Sequence, residues 1–419
     1  MNSFGYRQFP VLRNNNLPLM QSALKGAADL SNQLTQKMWT ETFANLDLWT
    51  ITGTPAEGTA TVANNVMTIN KTGTGAAMRV STGINTWVQP LKPFVIEMIL
   101  SGSTGNVWQV VLGPHTGTVD ISQLTFNTAV ITHKVSGGDV NTVTPTKWTQ
   151  NKKFRLLYHI NPKNKTVQVY LFYEDTDGIE RGVRLEAART YTDDYPVNIG
   201  MYIPSVATGT ITMEDIKVYE LWAVSIGDSL STGYPYYCPA RAMIDSGYNI
   251  NACYQYWIEQ RLNNARRVLN MGRGGDSTRE LILKYQSMVI DLAPELAIYW
   301  IGTNDIYSYP NDIATAKSNL ITILTATVAA GIRTVMVNCA PRNNFTEAQD
   351  VQAIEWNTWL KTICPKLNVH LANVYDVLGD ITDPTQQFAL YNPDDVHWNA
   401  YGYKMAAEKI FEAITSFEV

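Results

Sequence analysis

A change of hydrophobic period near Leu221 constrains this chain more than any other feature. Between about Trp39 and Trp222 the apolar residues fall in strand-length runs: Phe94 to Met98, Asn106 to Leu112, Phe154 to Ile160, Thr166 to Tyr173, Val197 to Ile203 and Gly209 to Glu220. Gly, Asn and Thr turns separate these runs, and Asn161-Pro162-Lys163-Asn164-Lys165 reads as a hairpin turn. No strong helical period interrupts them, which predicts an antiparallel sandwich. After Leu221 the strand runs Leu221 to Ile226, Arg267 to Asn270, Leu296 to Ile301, Thr334 to Asn338 and Val369 to Leu371 alternate with helical stretches. Those stretches are Ala252 to Asn264, Ser277 to Leu292, Asp312 to Ala330, Thr346 to Ile363 and Asn399 to Phe417. Alternation of this kind predicts a parallel sheet with helices on both faces.

The two patterns divide the 419 residues into an all-β unit over 38–221 and an α/β unit over 222–419, preceded by a segment over 1–37. That first segment holds Asn14-Asn15-Asn16 and then Met20, Ala23, Leu24, Ala27, Leu30 and Leu34, spaced to put one apolar stripe on a helix. The helix either docks on its own chain or serves as an oligomerisation or attachment arm. Thirty-two Lys and Arg against 37 Asp and Glu leave a net charge of −5 with no basic stripe, so no nucleic-acid partner is expected. Phe94 to Leu100, among the longest apolar stretches, is broken by Glu97, so no membrane span is expected either. Met1 to Arg13 lacks a basic start followed by an apolar core, so no secretory signal is read there. Cys238, Cys253, Cys339 and Cys364 form no C-x-x-C pair and stand in no His cluster, so no metal site or cofactor is expected. Ordinary part-buried thiols are the reading, with a local Cys238–Cys253 bridge as the alternative.

In open parallel sheets the ligand site lies beyond the C-terminal strand ends. Four short polar motifs fall there: Gly227-Asp228-Ser229-Leu230, Asn270-Met271-Gly272-Arg273-Gly274-Gly275-Asp276-Ser277, Gly302-Thr303-Asn304-Asp305, and Asp394-Asp395-Val396-His397 just before the last helix. Taken singly, G-D-S-L is often a turn, Asn-Asp after a strand is often a helix cap, and a lone His is often a surface residue. Together they suit acyl transfer. Ser229 needs a base to take its proton, and His397 is the candidate. The other imidazole nitrogen needs a carboxylate to fix its tautomer; Asp394 and Asp395 both stand close enough. The backbone N–H groups of Ser229 and Gly275 and the side-chain amide of Asn304 can supply an oxyanion hole. His115, His133, His159 and His370 lie outside the motifs and read as structural.

This arrangement over Leu221 to Val419 resembles the SGNH hydrolases, also called the GDSL esterase/lipase family. The resemblance implies a three-layer α/β fold with a flavodoxin-like parallel sheet. It implies Ser229 as nucleophile, Gly275 and Asn304 as oxyanion donors, His397 as base and Asp394, at the family spacing of three, as the orienting acid. Asp228, Asn270, Gly272 and Asp305 then shape the motifs. The pair Arg273-Gly274 departs from the small or apolar residues common in the second block, and Ser231 to Asn251 is an aromatic, polar insertion. The earlier segment, opening on W-T-E-T-F-A-N-L-D-L-W and closing on I-T-M-E-D-I-K-V-Y-E, resembles a concanavalin-like (lectin-like) jelly roll.

Tyr234, Tyr236, Tyr237, Tyr307, Tyr309 and Trp398 crowd the expected rim, with Arg273 and Arg342 as donors. Of these, Arg273, Tyr234, Tyr307 and Trp398 are the expected substrate-binding residues. Aromatic faces beside hydrogen-bonding groups suit sugar rings; packing of the insertion by its own aromatics is the plainer alternative. With a lectin-like module ahead, the expectation is a carbohydrate O-acetyl esterase acting on acetylated polysaccharide. A lipid or thioester hydrolase of the same fold, and an attachment protein with an idle hydrolase fold, are the alternatives. The arrangement of arm, sandwich and esterase also resembles bacteriophage tail or receptor-binding proteins, implying an extracellular or virion-associated site of action and a homotrimer. A bacterial enzyme whose signal has been removed is the other source considered.

Overall fold

A computed structural model describes residues 38–41, 49–52, 56–83, 93–103, 107–113, 122–127, 130–135, 140–190, 198–205, 207–235 and 252–418. The expected helix within 1–37 lies outside them, as do Tyr236, Tyr237 and Cys238. Cys339 and Cys364 are buried free thiols.

The first half forms two antiparallel sheets around one core. The first sheet holds β1 (Phe94–Gly102), β2 (Phe154–Asn161), β3 (Thr166–Glu174) and β4 (Gly209–Glu220). They lie side by side in the order β3-β2-β1-β4, all antiparallel. Strand side chains alternate between faces. Phe154, Leu156, Tyr158 and Ile160 of β2 accordingly enter the sandwich core, with Val167, Val169 and Leu171 from β3. The second sheet contributes Trp108, Leu124, Phe126, Ile131 and Met201 to the same core.

The outer face of the first sheet is buried as well. Val95, Leu157, Tyr170, Phe172 and Tyr219 belong to a second apolar cluster shared with residues after Leu221. This explains why β2 is buried at seven consecutive positions instead of at alternate ones.

The second half is a parallel sheet of β5 (Ala223–Gly227), β6 (Val268–Asn270), β7 (Leu296–Trp300), β8 (Arg333–Val337) and β9 (His370–Ala372). Their spatial order is β6-β5-β7-β8-β9, with every pair parallel. That is the flavodoxin-like order expected of the α/β unit. Val224 and Ile226 of β5, with Ala297 and Tyr299 of β7, face one layer. It holds α5 (Ile313–Ala329), α6 (Glu347–Lys366) and the outer face of the sandwich sheet. Ala223 of β5, with Leu296, Ile298 and Trp300 of β7, faces the opposite layer, built by α2 (Tyr254–Arg261) and α7 (Ala400–Thr415). The short α1 (Ser229–Thr232), α3 (Thr278–Leu281) and α4 (Thr303–Ser308) begin at the C-terminal strand ends.

The continuous helix expected over Ser277 to Leu292 is broken. After α3 the backbone leaves helical geometry at Lys284 (φ −130°), and only short helical turns follow, at Tyr285–Met288 and Ile290–Leu292. Lys284 turns its ammonium onto the buried carboxylate of Asp276, which outweighs the local helical preference.

Candidate active site

Strand β5 delivers the first motif. At Gly227 a Cβ would run into the carbonyl of Trp300, so only glycine lets the chain pass β7 there. Asp228 then caps α1 by accepting the N–H of Leu230 at 2.9 Å. Burial, reinforced by nearby Asp305 and only partly offset by the Leu230 hydrogen bond, pushes the Asp228 carboxyl up to about 7.

Ser229 follows, and its Oγ lies 2.8 Å from Nε2 of His397. The opposite ring nitrogen, Nδ1, lies 2.8 Å from Oδ2 of Asp394. The second carboxylate oxygen, Oδ1, accepts the backbone N–H groups of His397 at 2.8 Å and Val396 at 3.2 Å. Partial burial raises the Asp394 carboxyl, but the backbone and ring hydrogen bonds and the charge of His397 outweigh it and hold it below the usual range. The geometry distinguishes the two adjacent carboxylates. Asp395 sits at φ +65° and turns to the amides of Asn343 and Asn392 at 3.2 and 3.1 Å. Tyr234 stacks obliquely on the imidazole, ring centroids 4.6 Å apart.

The second motif leaves β6 at Asn270. Gly272 passes so close to α1 that a Cβ would lie 2.9 Å from the Ser231 Cβ. Gly275 is different: φ is +80° and the space where a Cβ would stand is open. Glycine is needed there for its backbone conformation, and the space beside it is free for a substrate. The next residue, Asp276, is buried between Arg273, at 2.6 Å, and Lys284.

The third motif starts α4. Asn304 donates one amide hydrogen to the Asp276 carbonyl at 2.9 Å. A primary amide has two, so the other is available to a ligand. Asp305 accepts the backbone N–H of Thr278 at 3.0 Å and its hydroxyl at 2.6 Å, locking the third motif to the second.

Of the expected substrate-binding residues, Tyr234 faces His397, Tyr307 is 43% exposed and Arg273 is half-buried against Asp276. Trp398 is a correction: it is fully buried in the core under α7. His397 and Trp398 are adjacent, yet the chain turns one ring to Ser229 and the other inward. Tyr309 is exposed beneath the guanidinium of Arg279, 4.5 Å from its ring centre. Arg342 is buried, with its guanidinium 3.9 Å from the ring centre of Tyr307. Sequence reasoning missed the pairing of Lys284 with Asp276, which fixes the loop carrying Gly275. The only signal for it was a lysine midway along an expected helix.

Residues 225–405 match the family described as GDSL-like Lipase/Acylhydrolase. Platelet-activating factor acetylhydrolase IB subunit alpha2 of Rattus norvegicus is 23% identical over 163 residues, 38% of this chain and 69% of that protein. Among solved structures, a GDSL-like lipase from Bacteroides thetaiotaomicron VPI-5482 is similar over 46% of this chain and 88% of its own, at 16% identity and a TM-score of 0.38. A catalytic mutant of an acetylxylan esterase from Geobacillus stearothermophilus is similar over 46% of this chain and 94% of its own, at 17% identity and a TM-score of 0.37.

Proposed function

We propose, from the match of residues 225–405 to the GDSL-like lipase/acylhydrolase family, that this protein is a serine esterase that removes O-acetyl groups from a carbohydrate. The observation that carries the reading is the Ser229–His397–Asp394 chain, with both links at 2.8 Å. His397 Nε2 takes the proton as Ser229 Oγ attacks the acetyl carbonyl, and Asp394 steadies the imidazolium that forms. The developing oxyanion is met by the N–H groups of Ser229 and Gly275 and by the free amide hydrogen of Asn304. Collapse expels the sugar hydroxylate, which takes the proton from His397. Water, deprotonated by His397, then attacks the acetyl-serine and releases acetate and the free serine.

The sugar assignment draws support from the rim. Tyr307 and Tyr309 are exposed just after Asn304, and Tyr234 flanks the base. Flat aromatic faces beside hydrogen-bond donors suit a sugar ring better than an extended acyl chain. Acetate release from an acetylated polysaccharide by the wild type and by Ser229→Ala tests the claim; equal release by both defeats it. A series of p-nitrophenyl esters sets the acyl length, and an optimum at long chains would move the reading to a lipid or thioester hydrolase.

A further inference from the structure

The outer face of the sandwich sheet carries a polar group among its apolar contacts with the parallel sheet. Arg155 of β2 donates from Nε to Oε1 of Glu97 on β1 at 2.9 Å. The hydroxyl of Tyr219 on β4 donates to the other Glu97 oxygen at 2.9 Å. Lys217, cross-strand from Glu97, pairs with Asp215 at 2.7 Å. Burial pushes Glu97 up, but the charges of Arg155 and Lys217 and the hydrogen bonds from Arg155 and Tyr219 outweigh it and hold the carboxyl at about 2. Phe172 supports the guanidinium from below, its ring centre 4.9 Å from Cζ. The guanidinium is thus held in one place by a partner that stays ionised.

Its Nη1 reaches across to the other half of the chain and donates to the backbone carbonyl of Asn270 at 2.7 Å. Asn270 is the last residue of β6 and the first of the second motif. Its side chain joins two motifs: Nδ2 donates to the carbonyls of Ser231 at 3.0 Å and Thr232 at 3.3 Å, within the nucleophile's own helix. Oδ1 accepts the N–H of Gly272 at 3.0 Å, at the start of the loop that presents Gly275. One buried residue therefore sets the spacing between Ser229 and an oxyanion donor, and its backbone is gripped by the sandwich.

We infer that Arg155 is a positioning residue for the ester-cleaving site: through the Asn270 carbonyl, the sandwich holds the second motif in register with the nucleophile. This deepens the proposed reading and rests on it. The sandwich is then part of the catalytic framework, whatever else it binds. A misplacement of about 1 Å at a reacting group can cost ~10²-fold in rate. Losing one of several restraints is expected to cost about 10- to 100-fold in kcat, with KM changed less than about twofold.

The test uses the full chain. Arg155→Met alone leaves Glu97 buried with a lost partner, so instability would confuse its result. The double variant Arg155→Met/Glu97→Gln removes that charge and keeps an acceptor for Tyr219. Two readouts are taken at equal folded fraction: kcat and KM on p-nitrophenyl acetate, and amide hydrogen exchange over Met271 to Gly275. Support is a kcat loss of tenfold or more at nearly constant KM, with faster exchange confined to that segment. Wild-type kcat and wild-type exchange in the double variant would overturn the inference. If the wild type itself turns over no faster than Ser229→Ala, the esterase reading fails, and the exchange measurement still decides whether Arg155 holds the segment.

Discussion

Replacing Asp394 by Asn, beside the same change at Asp395, separates the role of the orienting acid from the general effect of losing a charge near the site. Both Asp394 oxygens are committed, Oδ1 to the N–H groups of His397 and Val396 and Oδ2 to the ring Nδ1. In Asp394→Asn the amide oxygen keeps the two backbone donors, and the amide nitrogen then faces Nδ1. A donor there makes Nδ1 the acceptor and moves the ring proton to Nε2, where it points at Ser229 and cannot be exchanged for the serine proton. The same tautomer error costs ~10⁴ in kcat in serine proteases. Asp394 keeps 35% of its side chain exposed, so water relieves part of the demand. The expected loss is ~10²–10⁴ in kcat, or about 3–5 kcal/mol in the barrier. Asp395→Asn should stay within about threefold of wild type. Asn accepts the left-handed backbone at φ +65°, and its amide oxygen keeps the contacts with Asn343 and Asn392. Initial rates on p-nitrophenyl acetate, with thermal melts to verify folding, decide the matter. Equal losses in the two variants, or an Asp394→Asn enzyme within threefold of wild type, would refute the reasoning.

Asn304→Ala removes one oxyanion donor and should lower kcat by ~10²–10³ with a smaller change in KM; unchanged kcat would take Asn304 out of the hole. Leu157→Ala empties a fully buried position between the sandwich and the parallel sheet. It should cost ~2–5 kcal/mol in denaturant unfolding, and a cost under about 1 kcal/mol would mean that the interface repacks freely. Burial lowers His159 from 6.5 to about 4, and neither ring nitrogen has a hydrogen-bond partner among the described residues. A base whose folded value lies below its unfolded one binds fewer protons when folded. Its contribution is complete above about 6.5 and is lost as pH falls toward about 4, by up to ~3 kcal/mol. His159→Leu should flatten that part of the stability profile, and an identical profile would exclude His159 as a source of acid sensitivity.

The chemistry-bearing residues were legible because each follows a strand and the strands announce themselves. Ser229, Asn304 and His397 could be named from their motifs, and the structure brings Ser229 and His397 into contact. The choice between Asp394 and Asp395 could not be made from residue type, since it depends on which backbone turns left-handed. Trp398 was misread because neighbouring residues in a loop need not face the same way. The run Phe154-Arg155-Leu156-Leu157-Tyr158-His159-Ile160 was legible as a strand. Two of its three alternate positions, Arg155 and His159, are polar, which reads as a strand with one wet face, yet the structure covers both faces. Nothing in the run says what covers the second face, because that depends on residues more than sixty positions later. The helix over Ser277 to Leu292 failed for a similar reason: a buried carboxylate at Asp276 claims Lys284.

The doubly covered sheet also bears on how the chain is made. Its outer face, with Val95, Leu157, Tyr170, Phe172 and Tyr219, gains its apolar cover, among the described residues, from Leu221 and residues after it. At ~5–20 residues per second, the ~200 residues after it take about 10–40 s to emerge from a ribosome. During that interval a completed sandwich would present an aromatic surface to water, with Glu97 and Arg155 paired within it. Nascent chains arrested near residue 260, with Gly209–Glu220 clear of the ribosome, are expected to bind hydrophobic probes and holding chaperones, and full-length released chains are not. Synthesis order thus makes the first half of the protein a client until the second half arrives, and slowing translation within the second half lengthens that dependence.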